Sequence, residues 1–180
     1  MSMRKRITSY LQKLKGNQVR SGIPYPKWSE PLIVGLGGAI IIAALYLLSV
    51  ELHIVHCFLA PLGASCALVV GAPAAPFVQP RNVVLGNVLS ALVGLAVFCI
   101  CAQTTWWTLA AAIGIAMALM VATKTFHPPA AVTVLLPILT QITDFTWALV
   151  PVGVGAVIVV VIGILYNNAY TGRQYPVFWW

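Results

Sequence analysis

The stretch TKTFHPPAAVT, Thr123 to Thr133, sets Lys124 and His127 against two consecutive prolines in the middle of an apolar run. A second cation, Arg81, stands in another break, the QPRN of Gln79 to Asn82. Cations and an imidazole without neighbouring acids suit the binding of an anion. Pro128 and Pro129 fit the first turn of a helix, where their missing N–H groups would have no partner anyway. A helix starting near Pro129 would aim its positive end, and the N–H groups of Ala130, Ala131 and Val132, at whatever lies beside His127. Gly63, Ala64 and Ser65, within PLGASCAL, would offer an equivalent helix end. Two such ends with Arg81, Lys124 and His127 make a candidate anion site without fixed negative charge. Gly63, Ala64, Ala130 and Ala131 are small enough to let backbone approach closely.

Simpler roles compete for the same residues. Lys124 can snorkel to an interface. His127 can hydrogen-bond a broken helix without touching a substrate, and QPRN can be only a turn. Asn82 is an N-cap candidate for the span that follows it, whatever the function. His53 and His56 beside Glu51 read as interfacial polar residues rather than a metal site, and no metal or other cofactor is expected.

These residues must be held by elements that cross a bilayer. The chain has 180 residues, 61% hydrophobic and 7% charged, against about a quarter charged in a soluble domain. So few charges cannot cover a water-facing surface, and a bilayer requires none. The net charge of +7 is concentrated at the start, where seven of the ten Lys and Arg precede Trp28. A basic segment ahead of a hydrophobic span marks a cytoplasmic N-terminus beside anionic lipid, not a nucleic-acid-binding surface. The expected location is the cell (inner or plasma) membrane. Cys57, Cys66, Cys99 and Cys101 have neither ligand spacing nor the setting of a disulfide framework, and read as packing residues.

Hydropathy divides the chain into a basic segment (1–30), a membrane domain (31–170) and an aromatic tail (171–180). Residues 3–15 carry apolar positions at helical spacing between basic ones, the pattern of an interfacial helix. Within the membrane domain, all-α, four long transmembrane helices are expected: Pro31 to Val50, Asn82 to Ala102, Thr108 to Thr123 and about Phe145 to Tyr166. Two short broken segments lie between them, Cys57 to Val70 and Ala130 to Leu139, the second breaking at Pro137. Pro61 and Pro129 are 68 residues apart, and at that offset Gly63 faces Ala131 and Ser65 faces Thr133. The pattern reads as two units, about 31–102 and 103–170, each long, broken, long. Three crossings per unit invert the second relative to the first, and such inverted repeats place substrate where their broken helices meet. With six crossings every Lys and Arg falls inside, in keeping with the positive-inside rule; four crossings would put Arg81 outside.

Pro61 to Leu95 together with TFHPPAAVTVLL (Thr125 to Leu136) resembles the HPP family of integral membrane proteins, named for the tripeptide at His127, Pro128 and Pro129. The family is transporter-like, and some members are associated with nitrite transport. The resemblance implies a transporter or channel for a small monovalent inorganic anion, nitrite the first candidate. Two positions depart from the family's pattern: Ala131 stands where glycine is usual, and Asn87 where histidine is expected. If that position helps select substrate, Asn87 belongs to the site and shifts its preference. Protonation of His127 would couple flux to pH. An enzyme is not expected, because no nucleophile is paired with a base and the acids Glu51 and Asp144 fall outside. The alternative is a non-transporting membrane subunit or sensor that assembles with other membrane proteins. Glycine-rich helix faces and small size also point to a homo-oligomer in the lipid bilayer.

Overall fold

The computed structural model describes residues 27–51, 53 and 58–180. The expected interfacial helix over residues 3–15 lies outside the described residues, as do Cys57 and His56. The chain divides into two compact units, Met1–Pro31 and Leu32–Trp180. In the first, the described residues close one turn, with the Glu30 amide donating to the Lys27 carbonyl at 2.9 Å. The rest of this description concerns the second unit.

Every regular element among the described residues is helical. Helix α1 is Glu30–Glu51, α2 is Leu59–Gly71, and a 3₁₀ turn at Pro76–Val78 leads into α3, Pro80–Cys101. Helix α4 is Trp106–Ala122, followed by the short α5, Ala130–Thr133, and α6, Leu136–Thr140. A wide turn at Ala148–Gly153 opens α7, Val154–Asn168. Among the described residues, three segments are long and apolar enough to cross a membrane: Glu30–Glu51, Pro80–Cys101 and Ala148–Asn168. Helix α4, expected as a fourth long span, has 17 residues, about 25 Å at the usual rise.

Capping chemistry sets the length of α4. Thr105 and Thr108 form a reciprocal capping box at its start, so the helix begins two residues earlier than its hydropathy suggests. At its end Lys124 adopts φ +57°, while the Thr125 amide reaches the Met120 carbonyl at 2.8 Å and the Lys124 amide that of Val121 at 3.1 Å. This is a Schellman motif with lysine at the left-handed position that glycine usually fills.

Other boundaries differ from expectation for equally local reasons. Helix α3 starts at Pro80, which needs no N–H partner there, so Asn82 lies inside the helix instead of capping it. The break in the second short segment falls at Val134–Leu135, and Pro137 belongs to the first turn of α6 rather than ending a helix. Near the start of the last span Val150 is extended (φ −130°, ψ 112°) ahead of Pro151.

Helix α3 is central. Its buried residues include Val83 and Ala91, packed into a core with Ile41, Leu62, Val69 and Val159, and Val93, packed into a second core with Ala112, Ala116, Val134 and Ile138. Gly86, Ser90 and Gly94 recur every fourth residue and are all buried, giving α3 a flat face. A Cβ at Gly94 would run into the Val134 carbonyl, and one at Gly86 would sit 2.7 Å from the Thr125 carbonyl and 2.9 Å from His127 Cβ. These two glycines let the interrupted stretch lie directly on α3.

Hydrogen bonds fix which ends meet. Tyr166 near the end of α7 reaches the Ile33 carbonyl near the start of α1 at 2.7 Å. Asn167 donates to the Val69 carbonyl near the end of α2 at 3.2 Å, and Arg81 at the start of α3 donates to the Thr123 carbonyl after α4 at 2.5 Å. Arg81, Lys124 and Arg173 therefore share one end of the bundle. At the other end Thr104 donates to the Ile138 carbonyl at 2.8 Å; Glu51 ends α1 and Asp144 follows α6, both of which run toward that end.

Candidate functional site

Asn87 lies two turns into α3, about 10 Å from Pro80 along the helix, and is fully buried. An amide there must find partners or lose stability. Its Nδ2 donates to the Val83 carbonyl at 2.8 Å and to Ser65 Oγ of α2 at 3.3 Å. Its Oδ1 accepts from Thr133 Oγ1 of α5 at 2.6 Å. The two hydroxyls that align at the 68-residue offset thus meet on one amide.

His127 completes the junction from the loop after α4. It is fully buried, with Nδ1 2.8 Å from the Phe77 carbonyl and Nε2 2.8 Å from Ser65 Oγ. A carbonyl only accepts, so Nδ1 carries a proton and the neutral ring presents Nε2 as an acceptor. Ser65 has one hydrogen and two acceptors in reach, Nε2 and the Pro61 carbonyl at 3.0 Å. It donates to Nε2 of a neutral ring. A protonated ring instead donates from Nε2 to Ser65 Oγ, and the serine hydrogen turns to Pro61. The junction therefore accepts either protonation state without leaving a donor unpaired.

Ser65, Asn87 and His127 are brought together, while the other candidates are distributed differently. Asn82 donates to the Phe126 carbonyl at 2.9 Å and so anchors the loop that presents His127. Arg81 bonds the Thr123 carbonyl and lies 5.4 Å beneath the Trp180 ring. Lys124 and Pro128 are exposed, Pro129 and Ala130 are buried, and Ala131 is half-buried. The expected free amides at the start of the second short segment are already used. Ala130, Ala131 and Val132 donate to the carbonyls of His127, Pro128 and Pro129 at 3.0, 3.1 and 3.0 Å. Gly63, Ala64 and Ser65 sit inside α2, which begins at Leu59, so they offer no helix start. The polar chemistry at the junction belongs to side chains rather than to helix ends.

Thr133 is the site residue that the sequence-based set omits, although its alignment with Ser65 marks it. The Phe77 carbonyl and the clasp beyond it carry no comparable signal. Tyr175 Oη donates to the Val78 carbonyl at 2.9 Å, and Gln79 Oε1 accepts from the Val177 amide at 2.8 Å. The Phe77–Gln79 turn therefore holds His127 through one residue and the C-terminal tail through the next two.

The family of the HPP transmembrane region matches residues 23–176, most of the chain. This chain belongs to the HPP transmembrane family. It is similar to a transmembrane protein of Dictyostelium discoideum, 32% identical over 190 residues, covering 100% of this chain and 60% of that relative. A second transmembrane protein of the same organism is 26% identical over 183 residues, covering 97% of this chain and 64% of the relative. The chain therefore spans less than two thirds of the length of either. No solved structure matches.

In this HPP protein the tripeptide has a concrete local role. His127 crosses to the turn after α2, and Pro128 and Pro129 supply carbonyls to the amides that follow. Among the described residues no group of His, Cys, Asp or Glu could hold a metal. His53 Nδ1 lies 3.1 Å from the Glu51 carbonyl. At the far end Asp144 accepts from the Thr146 hydroxyl at 2.6 Å and amide at 2.9 Å, and these bonds hold its carboxyl below its ordinary pKa. Both its oxygens are engaged in a turn.

Proposed function

We propose that this protein is a membrane transporter or channel for a small monovalent inorganic anion, nitrite the first candidate, and that the Asn87 junction lies on its path. The observation that carries the reading is the convergence of Ser65 and Thr133 on one buried amide, with His127 bonded to Ser65, between two proline-containing segments of a family transmembrane region. Desolvated donors at that depth are costly unless they serve a ligand or each other. Here an anion would exchange with the present bonds, taking the hydroxyls of Ser65 and Thr133, the Asn87 amide and, when the ring is protonated, His127 Nε2–H. Arg81 and Lys124 would raise anion concentration at the mouth rather than bind at the junction.

By the positive-inside rule, the end with Arg81, Lys124 and Arg173 would face the cytoplasm; an inverted repeat about the Asn87 junction and the cell membrane as location complete the proposal. Apolar surface on α1, such as Leu36 and Leu47, favours packing against lipid or a second copy. Reduction of flux in Thr133→Val and Ser65→Ala proteoliposomes, with folding retained, tests the reading.

One observation favours a second reading. Every polar side-chain atom of the junction is bonded within the protein, as a purely structural network would be. A non-transporting subunit or sensor that assembles with other membrane proteins would need no more than this. It predicts no flux above protein-free liposomes for any anion.

A further inference from the structure

Two apolar grooves share Leu85 and continue into one another along the outer face of α3. The first, about 210 Å³, is lined by Pro80, Arg81, Val84, Leu85, Trp179 and Trp180. The second, about 240 Å³, runs past Val88, Leu89 and Leu92, with Thr123 and Thr125 along its side. From Arg81 to Leu92 the trench follows α3 for about 16 Å at the helical rise.

Its chemistry changes along its length. Arg81 stands at the mouth, held by the Thr123 carbonyl and the Trp180 ring, yet its Nε is buried with no partner. Lys124 follows the carbonyl that Arg81 grips. Neither cation pairs with a carboxylate among the described residues. Beyond the mouth the walls are Leu and Val, with Thr123 and Thr125 along one side. Tryptophans flanking a cation mark the headgroup level of a bilayer.

We propose that this trench binds one anionic phospholipid, with its phosphate at Arg81 and Lys124 and an acyl chain laid along Leu85 to Leu92. The two cations select a net negative headgroup over a zwitterionic one. The apolar trench selects a lipid over a free anion, because a soluble phosphate would leave it unfilled. Thr123 and Thr125 belong to the loop that ends at His127, so the bound chain braces the segment that presents the imidazole.

Native mass spectrometry of the full chain in detergent tests this, using phosphatidylglycerol and phosphatidylcholine with the same acyl chains. The expected result is preferential retention of phosphatidylglycerol, reduced about fivefold in Lys124→Gln and at least as much in Arg81→Gln. Leu85→Trp, which fills the trench, lowers retention of both lipids. Glycerol 3-phosphate alone gives no adduct and does not compete. Arg81→Gln also loses the Thr123 bond, so Lys124→Gln, altered at an exposed side chain, carries the charge test if Arg81→Gln misfolds. Equal retention of the two lipids, or unchanged phosphatidylglycerol binding in Lys124→Gln, overturns the proposal. Competition by glycerol 3-phosphate at equal concentration also overturns it, in favour of a free-anion site.

Discussion

Helix α2 and the α5–α6 segment each bring one hydroxyl to Asn87, but they are built differently. Helix α2 runs unbroken for 13 residues, with Ser65 in its middle. The other segment is two short pieces of four and five residues, and Thr133 ends the first. Prolines contribute to the difference. Pro61 falls in the first turn of α2, whereas Pro128, Pro129 and Pro137 leave the second segment only short runs of helical hydrogen bonds. Glycine on α3 then lets this irregular backbone approach closely, at Gly86 and Gly94. Two segments that align in sequence thus deliver the same functional group by different backbones. Among the described residues only the second adds a histidine, and that histidine is fixed by the turn that follows the first.

The comparison breaks most sharply at Gly94. Ala there meets the Val134 carbonyl, which is backbone and cannot rotate away, so Gly94→Ala should lower stability by about 2–3 kcal/mol. Gly114 has nothing within 4 Å of its missing Cβ, and Gly114→Ala should be neutral or stabilise by up to about 1 kcal/mol. Denaturant unfolding in mixed micelles measures both. Equal effects would mean that the close seating of the second segment on α3 is not what holds it.

Asn87→Leu comes next. It leaves the Thr133 hydroxyl without its acceptor and removes a donor from Ser65, and should lower stability by about 2 kcal/mol in the same assay. The single-hydroxyl variants sharpen the picture. Ser65→Ala and Thr133→Val should each lower stability by about 0.5–1 kcal/mol, a modest value because hydrogen bonds in membrane helices are modest. Ser65 also serves His127, so its loss should exceed that of Thr133. A larger loss for Thr133→Val would show that the second segment, not the histidine link, dominates the junction.

Lys124→Gly should act in the opposite direction. Glycine relieves the left-handed backbone at this helix end and should stabilise by about 1 kcal/mol. The same variant removes the ammonium while keeping the cap, so it separates a structural lysine from one that draws anions. Unchanged flux would show that Lys124 does not draw anions to the path.

Much of this architecture is legible in residue order, for physical reasons. An uncharged run such as Pro31 to Val50 has one low-energy environment, and consecutive prolines interrupt helices wherever they occur. The pairing of Ser65 with Thr133 follows from aligning the two short segments, although the first, expected to be broken, is a continuous helix. Other features depend on distant partners. The bond between Gln79 and the Val177 amide joins residues 98 apart, and nothing local to either announces it. Asn82 resembles an N-cap, yet Pro80 starts the helix earlier and frees its side chain for Phe126. The amides of Ala130 to Val132 look free in an idealised helix. They are satisfied because the HPP turn supplies carbonyls from the three residues before them.

The claim that the Asn87 junction carries anions is tested most directly by nitrite uptake into proteoliposomes, with Ser65→Ala and Thr133→Val alongside the unaltered chain. The account predicts saturable uptake that falls at least about tenfold in both variants, each still folded, as expected when a transition-state contact worth about 1.4 kcal/mol is removed. Uptake equal to that of protein-free liposomes, for nitrite, nitrate, formate and chloride alike, would contradict it and leave the junction as internal scaffolding.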